Sequence, residues 1–132
     1  MTKTAAQKRA EAKAEYDAFL AACPSRQLLD SISDKWVTLA MKSLSAGPRR
    51  YNEISRELAG VSQKMLTQTL RKLERDGLVF RTVTPTVPVR VDYELTPLGV
   101  SLMHVLEQIK SWAEQHMDEV LAARAEYDTA VA

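Results

Sequence analysis

Between Gln63 and Arg75 the chain places amides, a hydroxyl and cations three and four residues apart, and this set is the best equipped for chemistry. At about 100° per residue, Lys64, Thr67, Gln68, Arg71 and Arg75 fall within about 60° of one direction on a helix. Gln63 stands at the entrance, and no carboxylate occupies the centre of the face. Amides and guanidinium groups pair with adenine and guanine edges, a threonine methyl meets thymine, and ammonium groups neutralise phosphate. A solvated helix face would also be polar, but it more often mixes Glu among its cations.

The remaining reactive side chains are few. Cys23 is the single cysteine and directly precedes Pro24, where a short helix is expected to begin. A helix N-terminus favours the thiolate, and Arg26 adds to this if it turns inward. The plainer reading of Cys23 is a small buried residue. His104 and His116 lie on one helical stretch with no close third ligand, so no metal site is expected. No Ser-His-Asp order, glycine-rich phosphate loop or carboxylate pair sits in a convincing context, so neither an enzyme nor a cofactor is expected.

These residues need elements to hold them. A length of 132 residues suggests one domain with extensions. Hydrophobic content of 45% with 27% charged residues allows both a core and solubility, and the wealth of Ala, Leu, Glu, Lys and Arg favours helix. One cysteine excludes an intrachain disulfide framework. The charged start has no apolar signal-peptide core, and no apolar run approaches a membrane span, so a cytoplasmic, nucleoid-associated location is expected.

Net charge is +1, but unevenly spread. From Asp34 to Leu95 there are 11 Lys and Arg against 7 Asp and Glu, whereas from Thr96 onward there are 2 against 6. A basic middle beside an acidic tail fits a central segment that meets an anion.

Along the chain, residues 5–22 are expected to form a helix with almost no apolar stripe at its start. After Pro24 a short amphipathic piece carries Leu28, Leu29 and Ile32. A stronger helix from about Asp34 carries the apolar Trp36, Val37, Leu39, Ala40, Met41 and Leu44, with Trp36 read as core, and Ala46-Gly47-Pro48 stops it. The next helix buries Tyr51, Ile54 and Leu58 and ends at Gly60. Ser62 then caps the helix already described, whose inner half carries Met65, Leu66, Thr69, Leu70 and Leu73 and whose end is Asp76-Gly77.

The periodicity then changes to alternation. Segments VFRTVT and VRVDYEL read as two strands joined by a Pro-bearing loop. Arg81, Thr82, Thr84, Thr86 and Arg90 suit contact with phosphate or a minor groove, though the same loop residues also make a stiff exposed turn. Thr96-Pro97 restarts a helix that runs to at least about Leu121. Along it Leu98, Leu102, Val105, Ile109, Trp112 and His116 recur at spacings of four and three, a coiled-coil-like seam widened by Leu106, Ala113 and Val120.

Three helices followed by a hairpin, with glycine-bounded connections, are the order of a winged helix-turn-helix. The fold class expected is therefore α+β and mainly α, with a two-stranded wing and terminal dimerisation helices. The expected divisions are an arm at 1–22, a DNA-binding domain at 23–96, and a dimerisation helix and tail at 97–132. Ser62, Gln63, Lys64, Thr67, Gln68, Arg71, Arg49, Arg50, Arg81 and Arg90 are the candidate contacts to double-stranded DNA.

The stretch from Cys23 to Gly99 resembles the HxlR-type bacterial transcriptional regulators, relatives of the MarR-type proteins. The resemblance is carried by Cys23-Pro24, Asp34-Lys35-Trp36, Gly47-Pro48-Arg49-Arg50-Tyr51-Asn52-Glu53, Ser62-Gln63-Lys64-Met65-Leu66-Thr67, Leu73-Glu74-Arg75-Asp76-Gly77-Leu78, Pro88-Val89-Arg90-Val91-Asp92-Tyr93 and Leu95-Thr96-Pro97-Leu98-Gly99. It extends over about residues 23–117. It implies a homodimer on an inverted-repeat operator, joined through the terminal helices, and a cysteine at the position of Cys23 that senses oxidants, quinones or aldehydes. Two features depart from the family: Ser33-Asp34 stands where glycines are common, and the arm before Cys23 is long. Two alternatives stay open: a winged helix used as a protein-interaction module, and a regulator answering a small molecule at its dimer interface.

Overall fold

The computed structural model describes residues 2–131. Thr4 opens the first helix, α1 (Ala5–Ala22): its hydroxyl accepts from the Gln7 N–H at 3.1 Å, and the Gln7 side chain accepts from the Thr4 N–H at 2.8 Å. This reciprocal cap starts a helix that buries none of its residues, because the sequence gives it no apolar stripe. Helix α2 (Pro24–Ile32) follows after the single residue Cys23, with Pro24 in the tolerated first position.

Helix α3 (Lys35–Leu44) begins where Asp34 accepts from the Trp36 N–H at 2.8 Å. An aspartate at that point therefore has a capping role that a glycine would not fill through its side chain. Val37, Ala40, Met41 and Leu44 enter the core, while Trp36 stays half-buried beside it. Strand β1 (Arg49–Arg50) leads into α4 (Tyr51–Glu57), which buries Ile54, and Leu58 just beyond it.

Helix α5 (Gln63–Arg75) inserts Leu66, Leu70 and Leu73 into the same core. Its end is a complete Schellman motif. Leu78 N–H donates to Leu73 C=O at 3.0 Å, and Gly77 N–H donates to Glu74 C=O at 3.1 Å, with Gly77 at φ +74° where a side chain would be strained.

Strands β2 (Val79–Thr84) and β3 (Arg90–Leu95) form the hairpin, in register from Val79 opposite Leu95 to Thr84 opposite Arg90. The expected two-stranded wing gains a member here. Strand β1 pairs with the far edge of β3, Arg49 opposite Tyr93 and Arg50 opposite Asp92, giving the antiparallel order β1-β3-β2. Two residues are too few to display an alternation pattern, so this pairing leaves no local trace in the sequence.

Helix α6 (Pro97–Val131) is longer than its seam required, at 35 residues or about 50 Å. Its start is locked to the α5–β2 turn. Thr96 Oγ1 donates to Gly77 C=O at 2.7 Å and accepts from the Gly99 N–H at 3.0 Å, and Thr96 N–H donates to Leu78 C=O at 3.0 Å. Gly99 and Met103 are the buried residues of α6 among those described, and Leu102 and Leu106 pack half-buried against the same core.

The closeness of this joint is measurable at Gly99. A Cβ there would lie 2.1 Å from the Leu78 carbonyl oxygen, a backbone atom with no freedom to swing aside. Gly99→Ala is expected to lower unfolding free energy by about 1–3 kcal/mol in urea titration, the usual cost of overpacking. An unchanged unfolding midpoint would contradict that rigid joint.

Candidate nucleic-acid interface

The interface is built on α5, and its first turn is set by Ser62, whose hydroxyl accepts from the Met65 N–H at 3.1 Å. Burying Leu66, Thr69, Leu70 and Leu73 turns Gln63, Lys64, Gln68, Arg71 and Arg75 to solvent, as the spacing predicted. Thr69 is polar yet buried, and its hydroxyl is satisfied by donating to Met65 C=O at 2.8 Å. Met65 and Thr67 are half-buried.

Thr67 has a partner that sequence reading missed. The Tyr51 hydroxyl donates to Gln63 C=O at 3.1 Å and lies 3.3 Å from Thr67 Oγ1. Its one proton is used on Gln63, so the Thr67 hydroxyl donates to Tyr51 and leaves its methyl available. Tyr51 was expected in the core; it is half-buried and ties α4 to the first turn of α5. The aromatic with a polar tip was a signal available in the sequence, but its contacts lie 12 and 16 residues away.

Tyr51 also lines a cleft of about 440 Å³ with Gln63, Thr67, Arg71, Glu74, Arg81 and Tyr93. Residues opposite one another in antiparallel strands share a sheet face. Arg81 is opposite Tyr93, so it stands on the face turned to α5 and joins Arg71. Glu74 shares this cleft: the carboxylate absent from the centre of the α5 face is present at its margin.

The other wing cations behave differently. Arg50 is opposite Asp92 and Arg90 is opposite Thr84, which puts Arg50 and Arg90 on the outer sheet face. Both line a cleft of about 400 Å³ with Asn52 and the loop residues Pro88 and Val89. Arg90 Nε is bonded to Asp92 Oδ2 at 2.9 Å, while its side chain remains half exposed. Thr82 and Thr84 lie on that same face, and Thr86 is turned into the loop, where its hydroxyl donates to Pro88 C=O at 2.9 Å.

Arg49 does not join the exposed set. Its Nη1 is 2.8 Å from Glu57 Oε1 and its Nε donates to Ser43 C=O at 2.9 Å, so its guanidinium links α3, β1 and α4. Two adjacent arginines look alike in sequence, but strand alternation sends them to opposite faces. By contrast, Lys64, Arg71, Arg81 and Arg50 are in no ion pair among the described residues.

Cys23 is half-buried between α1 and α2, its backbone N–H donating to Leu20 C=O and its C=O accepting from Gln27 N–H. Arg26 pairs with Asp30 at 3.5 Å, one turn along α2, so the cation expected to support the thiol is engaged elsewhere. Farther on, Ser31 Oγ donates to Asp76 Oδ2 at 3.1 Å and Lys72 Nζ donates to Ser31 C=O at 3.4 Å, which joins the far end of α2 to the end of α5.

On α6, Leu98, Val105, Ile109 and Trp112 are 45–59% exposed, and Leu102 and His116 are half-buried. The His116 ring stacks on Trp112 at 4.6 Å, with Nδ1 2.9 Å from the Trp112 carbonyl oxygen. Among the described residues, no group of three or more His, Cys, Asp or Glu side chains could hold a metal ion. No helix among them is long and apolar enough to cross a membrane.

Known proteins share this arrangement. The family model for HxlR-like helix-turn-helix proteins matches residues 31–121. The HTH-type transcriptional regulator YtfH of Escherichia coli (strain K12) is 39% identical over 112 residues, covering 85% of this chain and 89% of YtfH. The solved structure of the transcriptional regulator ytfH from Salmonella typhimurium aligns with a TM-score of 0.69 at 39% identity, over 80% of this chain and 95% of that one. The redox regulator HypR in its reduced form aligns with a TM-score of 0.71 at 37% identity, over 76% of this chain and 99% of HypR. These relatives are regulators of transcription and not enzymes.

Proposed function

The chain belongs to the HxlR-like helix-turn-helix family of DNA-binding transcriptional regulators, and we propose that it acts as a homodimer reading an inverted-repeat operator with two α5 helices. The exposed face of α5 carries this reading. Gln63, Lys64, Gln68 and Arg71 project from a helix whose other half is anchored in the core. Arg71 suits a bidentate contact to guanine and Gln68 one to adenine, while Lys64 suits phosphate and Ser62 the backbone beside the helix entrance. Thr67 offers its methyl to thymine.

The wing would follow the flanking backbone with Arg81 on one side and Arg50 and Arg90 on the other. Arg49 is reserved for the fold by its bond to Glu57. Two such helices fit successive major grooves about 34 Å apart.

The apolar stripe of α6 favours the dimer. Leu98, Leu102, Val105, Ile109, Trp112 and His116 repeat at coiled-coil spacing, and a second copy would cover them. Tyr16 and Phe19 of α1, with Leu28 and Leu29 of α2, are exposed as well and would extend the same interface. On this reading residues 1–22 are an arm, 23–96 the reading domain and 97–132 the dimerisation helix with its tail. An apolar protein-interaction module is disfavoured by the polar face of α5.

A second reading concerns the signal. HypR, a redox regulator, has been solved in both reduced and oxidised forms. Here Cys23 joins α1 to α2, and the far end of α2 holds Asp76 and Lys72 at the end of α5. Modification of the thiol by an oxidant, quinone or aldehyde would enlarge the side chain at that corner and move α2.

Three outcomes follow from these readings. Arg71→Ala should weaken operator binding by about 1–3 kcal/mol and relax preference at one base pair, whereas Lys64→Ala should weaken all sequences alike and reduce the salt slope by about one. Selection from random DNA at several salt concentrations reads both, and a footprint unchanged by replacing Gln68 and Arg71 together would overturn the assignment. Ile109→Glu should yield a folded monomer in sedimentation and reduce operator affinity about a hundredfold, since one reading helix would bind alone. Cys23→Ser should bind operator normally and ignore diamide; normal release of the variant by diamide would sink the sensing role.

A further inference from the structure

A threonine inside a helix ordinarily turns its hydroxyl back to the carbonyl three or four residues earlier. Thr38 Oγ1 donates in this way to Lys35 C=O at 3.0 Å, Thr69 Oγ1 to Met65 C=O at 2.8 Å and Thr129 Oγ1 to Ala125 C=O at 2.8 Å. Thr67 does not. The carbonyl four residues before it, that of Gln63, holds the Tyr51 hydroxyl at 3.1 Å, and Thr67 Oγ1 lies 3.3 Å from the same phenol oxygen. With the helix N–H of Thr67 and the Tyr51 hydroxyl on its two lone pairs, Gln63 C=O has no capacity left for the Thr67 hydroxyl. Among the described residues Tyr51 is the partner of Thr67 Oγ1.

A hydroxyl and a methyl share the Cβ of threonine, so holding one branch fixes the other. Tyr51 belongs to α4 and reaches α5 from the cleft that it lines with Thr67, Arg71 and Arg81. At about 100° per residue, Thr67 stands about 40° from Arg71 and one turn before it, and it is half-buried, so part of its side chain stays open to a ligand. A hydroxyl turned outward would serve a donor or an acceptor on any base edge, whereas a methyl matches one group of the major groove, the C5-methyl of thymine. Which branch Thr67 presents therefore decides whether its position discriminates.

We infer that Tyr51 is a positioning residue for base selectivity: by holding the Thr67 hydroxyl it presents the Thr67 methyl, and α5 thereby selects the C5-methyl of one thymine in each half-site. This rests on the reading of α5 as the helix that meets DNA, and it places the source of selectivity on α4, in a side chain that acts without touching a base. Without the phenol oxygen, the Thr67 hydroxyl is divided among Gln63 C=O, Lys64 C=O and the groove, and the methyl turns with it.

An operator selected from random DNA by the full chain is remade with uracil in place of thymine, one position at a time, which removes the methyl and nothing else. In fluorescence anisotropy, affinity should fall about fourfold at one thymine of each half-site, the worth of one buried methyl group. Thr67→Ser keeps the hydroxyl and removes the methyl, and should bind the thymine and uracil operators alike at that position. Tyr51→Phe keeps the ring, and should bring the fourfold ratio below about twofold with the fold intact by circular dichroism. The double variant Tyr51→Phe/Thr67→Val should regain the full ratio, because valine carries a methyl on both branches; a merely structural role of Tyr51 would leave the ratio low. Indifference of the parent to uracil at every thymine, a full ratio in Thr67→Ser or in Tyr51→Phe, or no recovery in the double variant overturns the role of Tyr51 while operator binding stands. Absence of operator binding by the parent separately marks failure of the DNA reading.

Discussion

Helix α5 has to bury Leu66, Leu70 and Leu73 against α3, and this requirement governs what the molecule offers to its surroundings. A helix of this length has only one half to spare once three leucines and Thr69 are inside. The outward half is therefore not free to rotate: Gln68 and Arg71 point away from the core because their neighbours cannot leave it. Returning three buried leucines to water would cost several kcal/mol, at about 1.5–3 kcal/mol for each side chain. The polar face inherits its orientation from the apolar one. The Ser62 cap and the Tyr51 hydroxyl then settle the first turn, where contacts to a groove would be made.

Local signals were legible in the sequence. Asp34, Ser62 and Thr96 each announced a helix start, and Gly77 a helix end, because caps and Schellman turns depend on a few adjacent residues. The face of α5 was legible for the same reason, since 3.6 residues per turn makes direction a matter of counting. What escaped was long-range. Strand β1 exists only through its pairing with β3, which joins Arg49 to Tyr93 across 44 residues and Arg50 to Asp92 across 42.

 The Arg49 bond to Glu57, the Tyr51 bond to Gln63 and the place of Glu74 in the cleft likewise depend on how separate elements meet. Arg49 and Arg50 illustrate the limit: identical side chains, adjacent in the chain, are divided by a strand that the local pattern is too short to reveal.

The two ends of the chain reach the reading helix at one place. Helix α2 arrives from the N-terminal side through Ser31, which bonds to Asp76, and α6 arrives from the C-terminal side through Thr96, which bonds to Gly77. Asp76 and Gly77 are the cap and the turn that end α5. Whatever moves either terminal helix therefore acts on the same end of α5, opposite the turn capped by Ser62.

These two joints differ in stiffness. The Ser31–Asp76 bond is exposed, competes with water and is worth about 0.5–1.5 kcal/mol at most. The Thr96 joint is half-buried, uses both hydrogen-bonding capacities of its hydroxyl and brings the α6 backbone so near Leu78 that Gly99 has no room for a methyl group. A stiff joint suits the helix proposed to hold two subunits in register, because slack there would blur the spacing of the reading helices. A soft joint suits the helix that carries Cys23, since a modest change at the thiol can displace α2 without unfolding the core. The division of labour proposed for the two ends thus follows from the strength of their attachments to Asp76 and Gly77.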